Sequence, residues 1–334
     1  WQMQTSNTTA DLRAIYNVGG GVAWASGTNW TVLRTEDGGY VWQTCTGLLG
    51  AEKLDFRGVQ AFDANTAIVM SSGKGELSRL YKTTDGCHTW KLIFTNPDKE
   101  GFWDALSVAD QSSFMVLGDP VGGEFSIFET TDGGKTFDKT RDKGLESRPN
   151  EGAFAASNSS LLVNWVDGIA AFGTGAPSGA RLFSECNTCK TSKMWTSQVM
   201  SSFPRAEAAG IFSLSYRDWR RWVAVGGNYT KPDDSTGTAS ASTDGGKTWT
   251  AAQTPPHGYR SAVAYDADLK LWITVGPNGT DVSGDDGKNW RAVHPIAALH
   301  EAADADRNWN ALSLPLVVGP KGRIGRLEAG ALHK

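Results

Sequence analysis

Arg13, Arg57 and Arg260 each stand at or near the start of a short strand-like run: Leu12-Arg13-Ala14-Ile15, Phe56-Arg57-Gly58-Val59 and Arg260-Ser261-Ala262-Val263. Asp104 and Asn310 take the matching place in Trp103-Asp104-Ala105-Leu106 and Asn310-Ala311-Leu312-Ser313. Guanidinium groups gathered from separate runs would focus positive potential and grip a carboxylate through paired hydrogen bonds. The competing role for each arginine is an ion pair with a neighbouring carboxylate such as Asp104 or Asp119. Asp104, Asp119 and Glu151 offer a second chemistry. Two carboxyl groups flanking a sugar can hydrolyse a glycosidic bond, and their separation sets the stereochemical outcome.

The elements that must position these residues follow from an eight-residue repeat. It reads Thr35-x-Asp37-x-Gly39-x-x-Trp42, Thr83-x-Asp85-x-Cys87-x-x-Trp90, Thr130-x-Asp132-x-Gly134-x-x-Phe137, Ser242-x-Asp244-x-Gly246-x-x-Trp249 and Ser283-x-Asp285-x-Gly287-x-x-Trp290. Successive aspartates lie 48, 47, 112 and 41 residues apart, so the longest gap hides a degenerate copy. Units of this length, rich in short strands, indicate a radial array of four-stranded sheets. In each turn the Asp and Ser/Thr side chains can bond the backbone. The Gly accepts a left-handed conformation, and the aromatic residue opens the next strand and buries its ring on a neighbouring sheet. Five copies argue for a structural role of Asp37, Asp85, Asp132, Asp244 and Asp285, since catalysis would not need five.

Seven inner strands can be counted, the fourth expected at Gly152-Ala153-Phe154 and the fifth at Gly210-Ile211-Phe212-Ser213. The fold expected is all-β: a seven-bladed β-propeller of four-stranded antiparallel blades in one domain, residues 1–334. Blade 7 runs out of chain after its third strand. Trp1-Gln2-Met3-Gln4 is expected to supply the fourth, closing the ring and leaving no edge. Arg13, Arg57, Asp104, Arg260 and Asn310 then surround the mouth of the central channel. Glu151 opens the fourth inner strand there, and the loops containing Asp119, Asn228-Tyr229 and Pro277-Asn278, with Asp281 behind, rim the same opening. Trp24, Trp30, Trp103 and Tyr259 could line a sugar-binding rim, but each taken singly is read as blade core.

The repeated turn is similar to the Asp-box, or BNR repeat, of sialidases and other β-propellers. The whole chain, with its Arg-Ala-Ile and Arg-Gly-Val inner strands, resembles the photosystem II stability/assembly factor-like family. Bacterial members of that family are often secreted and labelled BNR-repeat glycosyl hydrolases. The resemblance implies an arginine patch that binds a partner polypeptide, here Arg13, Arg57 and Arg260. A ligand-binding set of these three with Asp104, Asn310, Asn228 and Tyr229 is the expectation, with a polypeptide or other carboxylate-bearing partner. The alternative is a glycan and a sialidase-like or other exo-glycosidase using Asp104, Asp119 and Glu151. Leu12-Arg13-Ala14-Ile15 lacks the proline of the sialidase Arg-Ile-Pro motif, and sialidase propellers have six blades.

The composition narrows the remaining classes. Lys plus Arg number 32 and Asp plus Glu 36, a net charge of −4, so no basic excess points to nucleic acid. No apolar run reaches the ~18 residues needed to span a bilayer. The start at Trp1 reads as a processed or trimmed product without a signal segment. Cys45, Cys87, Cys186 and Cys189 allow three pairings. Cys186–Cys189 could staple an enlarged blade-four turn, and Cys45 and Cys87 could join adjacent blades. Disulfides imply an oxidising compartment, hence a secreted or periplasmic location. His300-Glu301-x-x-Asp304 lies in residues 296–306, which read as a short solvated helix between blades six and seven rather than a metal site. No cofactor or metal is expected. A monomer is, because a closed ring has no edge to hide.

Overall fold

The computed structural model describes residues 1–46, 50–164, 168–185 and 194–332. Seven four-stranded antiparallel sheets stand as blades around one axis. Their inner strands are Leu12–Gly19, Phe56–Ala61, Trp103–Val108, Leu161–Asn164, Ala209–Tyr216, Ala262–Asp266 and Ala311–Ser313, defining blades 1 to 7. Each inner strand neighbours the next, and that of blade 7 neighbours that of blade 1. Blade 7 takes its outer strand from the other end of the chain: Gln2–Gln4 pairs antiparallel with Ile324–Arg326. The Trp1 ring, 3 % exposed, packs 6.1 Å from Trp309 and donates to Thr280 in blade 6. The expected architecture and closure are therefore present.

The five repeated turns share one set of hydrogen bonds. The hydroxyl at the first position donates to the aspartate two residues on, at 2.8 Å from Thr35, Thr130, Ser242 and Ser283 and 2.9 Å from Thr83. The same hydroxyl accepts the amide four residues on, at 2.9–3.1 Å. The aspartate in turn accepts a later amide of the turn, from Val41, Thr89, Thr136, Thr248 or Asn289. These bonds hold the carboxylates ionised. Asp85 is lowered to about 2, first by the Thr89 hydroxyl and then by the Thr89 amide. The aromatic residue closing each turn reaches the preceding blade: Trp42 meets Ala311 and Leu316, Trp90 meets Trp24, and Phe137 stacks on Phe94 at 4.0 Å.

One turn departs from glycine. Cys87 holds φ +67, where the other turns place Gly39, Gly134, Gly246 and Gly287, and it is bonded to Cys45 of the preceding blade. A non-glycine residue in this region costs about 1–2 kcal/mol, and the cross-link outweighs it at about 2–4 kcal/mol. Cys186 and Cys189 lie outside the described residues.

Two sequence expectations fail. Gly152-Ala153-Phe154 is not the fourth inner strand. Gly152 makes a single bridge to Gly175, and the strand forms only at Leu161–Asn164. Residues 296–306 hold one 3-10 turn, Ala297–Leu299, and no α-helix. Its last residue is followed by His300 in a left-handed conformation, which ends helical propagation.

Cys87→Gly and Cys87→Ala both remove the cross-link, but only alanine must still hold the left-handed backbone. Urea melts should show Cys87→Ala about 1 kcal/mol less stable than Cys87→Gly. Equal losses would contradict the backbone assignment.

Candidate functional site

A cavity of about 450 Å³ opens at the axis on the face where the inner strands begin. Its geometry rests on a register break repeated around the ring. Near their starts the inner strands of blades 1, 2, 3 and 5 each carry an unpaired residue, between Leu12 and Ala14, Phe56 and Gly58, Trp103 and Ala105, and Ile211 and Ser213. Those residues are Arg13, Arg57, Asp104 and Phe212. A bulge adds a residue without a partner and re-aims its side chain. Three of the four line the cavity, joined by Ser261 and Asn310 from blades 6 and 7.

Arg13 and Arg57 face the same carboxylate. Arg57 Nε donates to Asp55 at 2.8 Å and its Nη1 to the Ala155 carbonyl at 3.1 Å. Arg13 Nε lies 3.6 Å from Asp55 and has no hydrogen-bond partner among the described residues. Both side chains keep nearly a third of their surface exposed. No carboxylate lines the cavity, so its two charged lining residues are both cationic.

Arg260 is elsewhere. It is fully buried, with Nε donating to Asp281 at 2.8 Å, a second bond from Nη2 to Asp281, and Nη1 bonding Asn278 and the Tyr259 carbonyl. His257 also bonds Asp281, at 2.8 Å. The expected equivalence with Arg13 and Arg57 was one residue out, and with a period of two that moves a side chain from mouth to core. The true register can be read from glycines on the second strand. A Cβ on Gly27 would meet the carbonyl of Asp11, next to Leu12, and one on Gly276 would meet the carbonyl of Tyr259, next to Arg260. Arg260 thus matches Leu12, and Ser261 takes the place of Arg13.

Phe154, Ala155 and Ala156 of the cavity lining belong to residues 153–160, the stretch preceding the fourth inner strand. It bonds four other blades. Arg57 of blade 2 holds Ala155, Asn158 donates to and accepts from Leu106 of blade 3, Ser159 reaches Ser213 of blade 5, and Ser157 reaches the Ser261 carbonyl beside blade 6. A segment touching blades on both sides of its own, two places away in each direction, must lie on the axis. It plugs the channel. Its Phe154 stacks on Phe212 at 3.8 Å, and Tyr259 meets Phe212 edge-on at 4.8 Å. Tyr229 stands beside them, 53 % exposed. Asn228 is 9 % exposed and its side-chain oxygen accepts from Thr230 at both amide and hydroxyl, a turn rather than a ligand contact. Asn310 lines the cavity and donates to Leu12.

The three carboxyl groups considered for glycoside hydrolysis lie outside this cavity. Asp104, 2 % exposed, lines neither this cavity nor the larger cleft beside it. Burial, then the charge of Asp119, pushes its pKa well above the usual carboxylate range, and Arg57 offsets only part of this. Asp119 accepts the Ala153 amide at 3.0 Å, yet burial still lifts it to about 6. Glu151 lines the cleft of about 750 Å³ with Asp119, but its carboxylate is taken. Arg181 donates to it from Nε at 2.8 Å and again from Nη2, with Thr174 and the Arg148 amide completing the set. Burial acts to raise Glu151, and those bonds outweigh it, so the group stays ionised. Phe154, Phe212, Ser261, Asp55 and Arg181 were missed from sequence; only Phe212 and Ser261 carried a signal, in the glycine opposite the preceding residue. Among the described residues no group of three or more His, Cys, Asp or Glu could hold a metal ion, and no helix is long and apolar enough to cross a membrane.

No protein-family model matches the sequence, and no curated protein matches it. Among solved structures the chain is similar to YCF48 bound to D1 peptide, at 17 % identity and a TM-score of 0.63, over 97 % of this chain and 95 % of that one. It is similar also to YCF48 from Cyanidioschyzon merolae, at 17 % identity and a TM-score of 0.60, over 97 % of both chains. A GH74 xyloglucanase from Xanthomonas campestris reaches a TM-score of 0.43 at 15 % identity, over 86 % of this chain and 50 % of that one. Identities this low show the shared fold alone.

The raised Asp119 has a sign that can be tested. Its folded value of about 6 lies above the ordinary 3.8. The folded state therefore holds a proton between those values that the unfolded state has released. Stability from this group is complete below pH 3.8 and is lost as pH rises through 6, by at most about 3 kcal/mol. Wild-type chemical-denaturation midpoints should rise from pH 8 to pH 5. Asp119→Asn should flatten that rise and be the more stable protein at pH 8; an unchanged slope would contradict the shift.

Proposed function

We propose that this chain is a single-domain Asp-box propeller, residues 1–334, that captures an acidic segment of a polypeptide in its arginine-walled cup without chemical turnover. The observation that carries the reading is the cavity itself: Phe154, Ala155 and Ala156 belong to its lining, and its charged lining residues are Arg13 and Arg57, which share the Asp55 carboxylate. Two guanidinium groups share one carboxylate, and the exposed part of each can take a carboxylate ligand with charge-assisted bonds. YCF48, a protein of the same fold, is bound to D1 peptide, which supports a polypeptide rather than a glycan as the occupant here. The cross-link between Cys45 and Cys87 suits an oxidising compartment, so the protein works outside the cytoplasm, and its closed ring works as a monomer.

The hydrolase reading is weaker. Asp119 has a pKa suited to a general acid, but Asp104 is buried and Glu151 is committed to Arg181. A screen of chromogenic exo-glycosides should show no turnover; turnover abolished by Asp119→Asn would overturn the non-catalytic reading.

The arginines separate binding from stability. Arg13→Ala and Arg57→Ala should each weaken capture of a fluorescent glutamate-rich peptide about tenfold or more, with melting temperatures within a few degrees of wild type. Arg260→Ala strands the buried Asp281 and should cost about 3–5 kcal/mol of stability. Melting losses of that size in Arg13→Ala or Arg57→Ala, with capture intact, would make them inter-blade struts.

A further inference from the structure

We infer that the cup reads two neighbouring residues of its ligand, taking a carboxylate on the arginine wall and an aromatic side chain on the wall opposite. This rests on the reading of the cup as a polypeptide site and adds its sequence preference. Arg13 and Arg57 stand on blades 1 and 2, whereas Phe212 and Tyr229 belong to blade 5 and its loop, with Tyr259 beside them in the connection to blade 6. In a ring of seven, blades 1–2 and 5 face each other across the axis. The aromatic wall is a packed cluster: Phe154, Phe212, Tyr259 and Tyr229 touch in sequence, with ring centroids 3.8, 4.8 and 6.5 Å apart. Phe212 and Tyr259 are 2 % and 6 % exposed, so the core of the cluster is fixed, and Tyr229 presents the open ring above it.

A tyrosine held against buried rings at the mouth of a polar cavity offers an aromatic guest both offset stacking and a hydroxyl. Charge complementarity selects the guest's other half, because the cavity's charged lining is cationic. Chain geometry joins the two. In an extended strand successive side chains point to opposite sides, so an aromatic residue and an acidic residue directly next to each other in sequence reach opposite walls at once. Two residues apart, they would both face the same wall. The plug adds a further restriction, since a ligand enters and leaves by the same face and cannot thread the ring.

The experiment uses fluorescence anisotropy with the whole protein and two blocked, dye-labelled hexapeptides. One carries a central tryptophan–glutamate pair, the other alanine–glutamate. The tryptophan peptide should bind about tenfold more tightly, equivalent to about 1.4 kcal/mol. Tyr229→Ala should abolish that preference and Tyr229→Phe should largely keep it, while Arg57→Ala weakens both peptides. Equal binding of the two peptides, or a preference that survives Tyr229→Ala, would overturn the aromatic wall and leave acidic-peptide capture standing. Binding of neither peptide would overturn both.

Discussion

Residues 153–160 hold the centre of the molecule. Seven sheets packed as spokes leave a channel lined by strand edges and bulges, and this segment fills it with side chains small enough to fit, Ala155, Ala156, Ser157, Ser159 and Ser160. Its polar groups are satisfied by four blades other than its own, through Arg57, Leu106, Ser213 and Ser261. Buried polar groups are expensive when unpaired and specifying when paired. The same segment ties down Asp119 through the Ala153 amide and supplies Phe154 to the aromatic wall. Without it the ring would be a tube; with it the ring has a cup.

The two faces of the ring divide the labour. The repeated turns on one face hold each blade's corner with the same hydroxyl–carboxylate–amide set and pin it to its neighbour with an aromatic ring. Their aspartates are ionised because they accept turn hydrogen bonds, so they are occupied structurally. On the opposite face, single-residue bulges turn Arg13, Arg57 and Phe212 toward the axis. A bulge costs a ladder bond and frees a side chain, which is why such features gather at sites rather than in the body of a sheet.

How legible each part was in the sequence follows from how local its cause is. The corners are determined within eight residues, and five copies made them readable along with the blade count. Closure by Gln2–Gln4 was readable because blade 7 lacked a strand. Arg13 and Arg57, each one residue inside its strand, line the cavity. Arg260 does not, because a single-residue offset exchanges mouth for core and leaves no trace in composition; the glycine opposite it, Gly276, was the available signal. The plug has no periodicity at all. Its partners lie 52 and 104 residues from Asn158 and Ser157, as Glu151 lies 30 residues from Arg181, and distance of that kind is settled only by the closed ring.

The most direct measurement is hydrogen–deuterium exchange of the whole protein, free and saturated with the tryptophan–glutamate hexapeptide. Slowed exchange should be confined to segments around Arg13, Arg57, residues 153–157 and Tyr229, with the repeated turns unchanged. Protection appearing at the turns instead, or none at the plug, would contradict a cup closed at the axis as the binding site.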